Sequence, residues 1–142
     1  MTVKYFVDTN VILYAGSRAV EDQAKRPTAR ALLARPDIAL SAQVLQEFYS
    51  VVSTKRRLQL THEEALEVLA SLEAFPVCPI TRELVMDAIE LRQRYNISYW
   101  DAAILVAAKR MNCDTVYSED LNAGQVYDGV MVVNPFAVSA GA

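Results

Sequence analysis

The 142-residue chain has one histidine, two cysteines and four glycines, and each scarcity narrows the chemistry open to it. Proton shuttling between paired imidazoles is excluded by the single histidine. That residue, His62, opens the polar stretch Thr61-His62-Glu63-Glu64, where a solvated first-turn position is expected. Cys78 and Cys113 are far apart and form no C-x-x-C pair, so they read as buried thiols in a reducing compartment. Four glycines are too few for a flexible multidomain chain, and no Gly-Lys-Ser loop is present to cradle nucleotide phosphates. No apolar run approaches the roughly 20 residues that span a bilayer. The N-terminus, MTVKYFVDTN, meets an acid at position 8 before any secretory-type apolar segment, so a cytoplasmic protein without membrane contact is expected.

Basic excess is also lacking: 14 Lys and Arg against 17 Asp and Glu leave a net charge of −3. A nucleic-acid binder that works by charge alone is basic, so a simple coating protein is disfavoured. An enzyme whose acids are neutralised by a bound metal stays open. Lys55-Arg56-Arg57 is the one dense basic run, either a local cluster or a solvated helix end favoured by the helix dipole. What the chain does have is apolar residues, 53% against 22% charged, the balance of a globular domain rather than a disordered one. Its length suits one domain over residues 1–142 with one sizeable core.

Tyr5-Phe6-Val7, Ile38-Ala39-Leu40, Val77-Cys78-Pro79, Asp114–Tyr117 and Val130–Val133 read as short buried strands. Helices are expected between them. A short one over Val11–Ala15 has Asn10 as its cap, and one over Asp22–Ala34 carries Pro27 to start, kink or break it. Ser41 caps a helix to about Ser53, with Val44, Leu45, Phe48, Val51 and Val52 on one stripe. Thr61 opens a capping box and Thr81 caps a helix to about Tyr95. Ser98-Tyr99-Trp100-Asp101-Ala102-Ala103-Ile104-Leu105 then begins a helix too apolar all round to lie on the surface. Strands alternating with helices imply an α/β sandwich, a parallel sheet of four to five strands flanked by helices.

Asp101 is the oddity in that helix, since no other charge occurs between Trp100 and Ala108. Two readings stand: Ser98 and Asp101 form the S-x-x-D variant of a capping box, or the carboxylate faces a cleft where a cation meets it. Asp8 follows the first strand, Glu47 lies two turns into the helix after the second, and Asp120 follows the fourth strand in Ser118-Glu119-Asp120. In open α/β sheets ligands bind at the carboxyl ends of strands, where these four acids fall. Clustered carboxylates repel, and a hard divalent cation with oxygen ligands, Mg²⁺ or Mn²⁺, relieves the repulsion.

VDTNVILYA at residues 7–15, Glu47, SYWDAAIL at 98–105 and YSEDL at 117–121 together resemble the PIN-domain ribonucleases, most of all the VapC-type toxins of bacterial toxin–antitoxin pairs. The resemblance implies a metal-dependent endoribonuclease acting on RNA. It also implies that Asp8, Glu47, Asp101 and Asp120 form the acidic quartet, supported by Asn10 and Ser118. Glu119 competes with Asp120 for the fourth place, and the Ser-x-Asp register favours Asp120. A cognate antitoxin and a homodimer follow by the same route, with Tyr14, Phe48, Tyr49 and Val52 as a face for the antitoxin groove or, alternatively, as ordinary core. Two rivals remain at this stage. One is a non-catalytic PIN-like scaffold for RNA or protein. The other is a haloacid-dehalogenase-type phosphatase with Asp8 as nucleophile, against which stand Asn10 and Val11-Ile12 where a second acid and Gly-Thr would be expected.

Overall fold

Short side-chain oxygens set where the helices of this chain begin. The computed structural model describes residues 3–137. In order these form β1 (Tyr5–Val7), α1 (Thr9–Gly16), α2 (Arg26–Leu33), β2 (Ile38–Ser41), α3 (Ala42–Thr54), α4 (His62–Ser71), β3 (Val77–Cys78), α5 (Arg82–Tyr95), α6 (Tyr99–Arg110), β4 (Thr115–Tyr117), β5 (Val126–Tyr127) and β6 (Val130–Val133). Ser41, Thr61, Thr81 and Ser98 each accept the backbone N–H three residues on, as the N-cap pattern requires. Asp8, not Asn10, caps α1, so that helix starts two residues earlier than the apolar pattern alone implies. Pro27 sits in the first turn of α2, where no backbone N–H is needed, and starts the helix rather than kinking it.

The strands join in the order β3-β2-β1-β4-β6-β5. All pairs are parallel except β5 with β6. The sheet therefore has six strands, one of them antiparallel, where four to five parallel ones were expected. The extra strand comes from Asp128-Gly129, whose φ values of 50° and 86° turn the chain back between Tyr127 and Val130. Positive φ at both central positions is the hairpin turn that Asp-Gly favours. The chain steps from β1 outward to β2 and β3, then returns to the other side of β1 as β4. The switch in strand order thus lies between β1 and β4.

Helix α6 explains its own composition. Ala102, Ala103, Ile104, Leu105, Ala107 and Ala108 are all buried, and the helix packs on α5 and on β2, β3, β4 and β6. A helix covered around most of its circumference has no use for a polar face. The two cysteines are buried and unbridged, and burial pushes the Cys113 thiol up to about 12, so no thiolate nucleophile is at hand. Arg57 of the basic run donates to the buried Asp22 carboxylate at 2.9 Å, which ties part of that run into the fold. No helix among the described residues is long and apolar enough to cross a membrane.

The expected groove face of Tyr14, Phe48, Tyr49 and Val52 does not exist as one surface. Phe48 is completely buried with Val44 beneath α3, so it serves the core. Tyr49 is 41% exposed and borders, with Val52, Leu60 and His62, a groove between α3 and α4. Tyr14 lies elsewhere, edge-on to Phe136. A stripe on α3 is wider than the part that meets the sheet, and neighbours one residue apart face about 100° from each other. Phe48→Ala should lower stability by about 3–5 kcal/mol through an unfilled cavity, whereas Tyr49→Ala should stay within about 1 kcal/mol. Urea unfolding of the two variants checks this, and equal losses would return Phe48 to the surface.

Candidate active site

At the switch between β1 and β4, a cleft of about 200 Å³ collects Asp8, Glu47, Asp101 and Asp120 from four separate segments. Thr9, Asn10 and Trp100 complete its polar and aromatic lining, and Leu13, Val51 and Ile104 form apolar walls. Parallel pairing of Val7 with Tyr117 fixes the geometry, since it carries Asp8 and Ser118 to the same level at the ends of their strands. The Ser118 hydroxyl, fully buried, donates to Asp8 Oδ2 at 2.8 Å and accepts the Asp120 N–H at 3.1 Å. The Thr9 N–H donates to Asp8 Oδ1 at 2.7 Å, so both oxygens of this carboxylate are held.

The other acids are held through their neighbours. Thr9 Oγ1 donates to Glu47 Oε1 at 2.8 Å, tying α3 to α1. Asn10 Nδ2 donates to Asp120 Oδ2 at 3.1 Å. Asp101 takes part in both the helix start and the cleft. Its backbone N–H caps on the Ser98 hydroxyl at 3.0 Å, while its carboxylate lines the cleft. No hydrogen bond returns from the Ser98 N–H to that carboxylate, unlike the reciprocal pair of Thr61 and Glu64. Glu119 turns away from the cleft. It accepts from the Tyr14 hydroxyl and pairs with Lys25 Nζ at 2.9 Å. Sequence reasoning gave no part to Thr9 or Gln43. Thr9 is legible only as the middle letter of Asp-Thr-Asn, and Gln43 has no motif at all.

Burial, with like charge adding to it, raises two acids of the cleft, Asp8 and Asp101. Burial pushes the Asp8 carboxyl up to about 6, the charges of Asp120 and Glu47 add to this, and the Ser118 and Thr9 hydrogen bonds oppose it. Burial, with the charge of Asp120, also raises Asp101 above the usual carboxylate range, against the pull of Ser98. A larger cavity of about 440 Å³ lies between α5 and α6. Its Arg94 and Lys109 pair with Asp128, and its Arg110 with Asp87. Charges that satisfy one another leave little for a ligand, so the smaller acidic cleft is the candidate site.

A model of the PIN domain matches residues 5–129. The chain belongs to the PIN-domain family. No curated protein sequence matches this PIN domain, but solved structures share its fold. It is similar to the Mycobacterium tuberculosis toxin VapC20, described as cleaving the sarcin–ricin loop, with a TM-score of 0.66 and 24% identity over 82% of this chain and 90% of that one. It is similar to a chain of a toxin–antitoxin complex from Klebsiella pneumoniae, with a TM-score of 0.65 and 20% identity over 95% and 100%. A third likeness is to VapBC2 from Rickettsia felis bound to a promoter DNA fragment, with a TM-score of 0.62 and 21% identity over 92% and 97%. Membership of the PIN family leaves no part for the phosphatase reading, and Asp8, with both oxygens hydrogen-bonded, is poorly placed as a covalent nucleophile.

The donors of this PIN domain fit a hard divalent cation in kind. They are all oxygens, and Asn10 Oδ1 is buried without a hydrogen-bond partner, an acceptor that a cation or its hydrating water would satisfy. Their spacing is not that of a finished cage. Among the described residues no three Asp, Glu, His or Cys side chains stand close enough to hold an ion, so a cation here would require side-chain rotation to bring the carboxylates together.

The raised Asp8 value sets a pH dependence. Its folded-state value of about 6 exceeds the usual 3.8, so ionised Asp8 destabilises the fold. The penalty is absent below about pH 4, grows as pH rises to about 6, and is complete above that, at most about 3 kcal/mol. In EDTA, Asp8→Asn should therefore melt above the wild type at pH 8, with the gap closing toward pH 4. Thermal scans at both pH values test this, and a variant less stable than the wild type throughout would contradict it.

Proposed function

We propose that this chain is a metal-dependent endoribonuclease and the toxin of a toxin–antitoxin pair. The observation that carries the reading is the meeting of four acids from four segments in one cleft of a PIN fold. Asp8, Glu47, Asp101 and Asp120 are the residues to hold Mg²⁺ or Mn²⁺. When bound there, such an ion supplies charge stabilisation on the phosphodiester and a water acidic enough to attack at neutral pH. The chain's own contribution is orientation. Ser118 and the Thr9 N–H fix Asp8, the Thr9 hydroxyl fixes Glu47, and Asn10 fixes Asp120. The apolar walls of Leu13, Val51 and Ile104 limit the water in contact with these groups and so strengthen their pull on a cation.

The toxin part of the reading draws on the neighbours, one described as a toxin and one as a toxin–antitoxin complex. A cytoplasmic ribonuclease needs such an inhibitor, and a homodimer belongs to the same reading. The missing ready-made cage favours a second account, a non-catalytic PIN scaffold that binds RNA or protein. Cleavage decides between them. With Mg²⁺ the wild type should cut an end-labelled RNA, EDTA should stop it, and Asp8→Asn or Asp101→Asn should each lower the rate by about 100-fold or more, beyond the loss typical of outer-shell changes. An Asp101→Asn variant with full activity would leave that side chain without a part in the reaction. Expression of the wild type in a bacterial host should arrest growth and Asp8→Asn should not. Unimpaired growth at high expression would leave a PIN nuclease or scaffold without the toxin role.

A further inference from the structure

The cleft poses a binding problem that its acids cannot solve. Four carboxylates repel a phosphodiester, and the chain carries a net charge of −3. Contacts that do not depend on charge would add to the hold that a bound cation or the chain's basic residues give. Trp100, the only tryptophan in the chain, lines this cleft. It is nevertheless 63% exposed, although most of the apolar residues that follow it in α6 are buried. Its place beside the four acids sets it apart from the other exposed apolar side chains, such as Val20 and Met86.

The residue is also held in place. Gln43, buried in the first turn of α3, donates Nε2 to the Trp100 carbonyl at 3.2 Å and so ties the start of α6 to α3. The ring of Tyr99 meets the indole edge-on, with centroids 5.0 Å apart and planes at 84°. An aromatic residue at a helix start, its backbone tied to Gln43, its ring against Tyr99 and its face open at the rim of the acid cleft, has the features of a stacking platform. Every nucleobase offers a π-face to such a ring, and only an unpaired base is free to use it.

We propose that Trp100 is a substrate-stacking residue, its indole receiving an unpaired nucleobase beside the phosphodiester bound at the acids. The proposal rests on the nuclease reading and goes beyond it by naming the residue that grips the base. It gives Gln43 a positioning role, because the bond to the Trp100 carbonyl sets where the platform stands relative to Asp101.

The single tryptophan makes the test direct, since intrinsic tryptophan emission reports on this residue alone. In EDTA and low salt, a single-stranded RNA oligonucleotide should quench the emission saturably, and the same sequence in a duplex should need at least about tenfold higher concentration. With Mg²⁺, Trp100→Ala should raise KM by about tenfold or more with a smaller change in kcat, and Trp100→Phe should recover most of the loss. Thermal melting checks that both variants fold. Equal quenching by duplex and single strand, or a wild-type KM in Trp100→Ala, would overturn the proposal. So would a blue shift that grows with protein concentration alone, because it would place Trp100 in a contact between copies. If the wild type binds single-stranded RNA with quenching but never cuts it, the nuclease reading fails while Trp100 stands as an RNA-stacking residue.

Discussion

The hydroxyl of Ser118 joins the ends of two strands and, through them, two acids. It donates to Asp8 and accepts from the backbone of Asp120, in a position fully shut off from water. The pairing of β1 with β4 brings it there, and Asp8 directly follows β1 and caps α1. A shift of one residue in that pairing would send Asp8 to the opposite face of the sheet. It would also break the Ser118–Asp8 bond and draw Asp120 away from the Asn10 amide. The cleft exists only while this register holds.

Around that node the chain accumulates negative charge against its own stability. Asp8 is raised to about 6 chiefly by burial, with the charges of Asp120 and Glu47 adding. Neutral donors hold the acids where cations could have done so. Thr9, Asn10 and Ser118 orient three of the carboxylates without cancelling their charge, while Lys25 is engaged by Glu119. Oriented but uncompensated carboxylates keep their attraction for a cation from solution. Asn10 Oδ1 adds a buried acceptor without a hydrogen-bond partner to the same cleft.

Local chemistry was the legible part of the sequence. Ser41, Thr61, Thr81 and Ser98 could be read as caps because the bond each makes spans only three residues. The convergence of Asp8, Glu47, Asp101 and Asp120 on one cleft was legible because strand ends in an α/β sheet share an edge. Exposure was not legible. Phe48 and Tyr49 are adjacent and both aromatic, and only the packing of α3 on the sheet decides that one is core and the other surface. The α1 start was misplaced by two residues because Asp8 and Asn10 are both good caps, and only Asp8 uses its side chain so. The β5–β6 hairpin had its signal in Asp128-Gly129. Two-residue β5 carried too little pattern to be seen beside it. Gln43 joins α3 to α6 across 57 residues, a link that no local pattern encodes.

On the proposed reading these acids are gathered to share a divalent cation. Calorimetric titration of the purified protein with Mn²⁺ at pH 7.5 tests it without reference to any RNA. Saturable binding by the wild type is predicted, weakened at least about tenfold by Asp8→Asn and by Asp101→Asn. A wild type that takes up no Mn²⁺, or two variants that bind it as the wild type does, would contradict the claim.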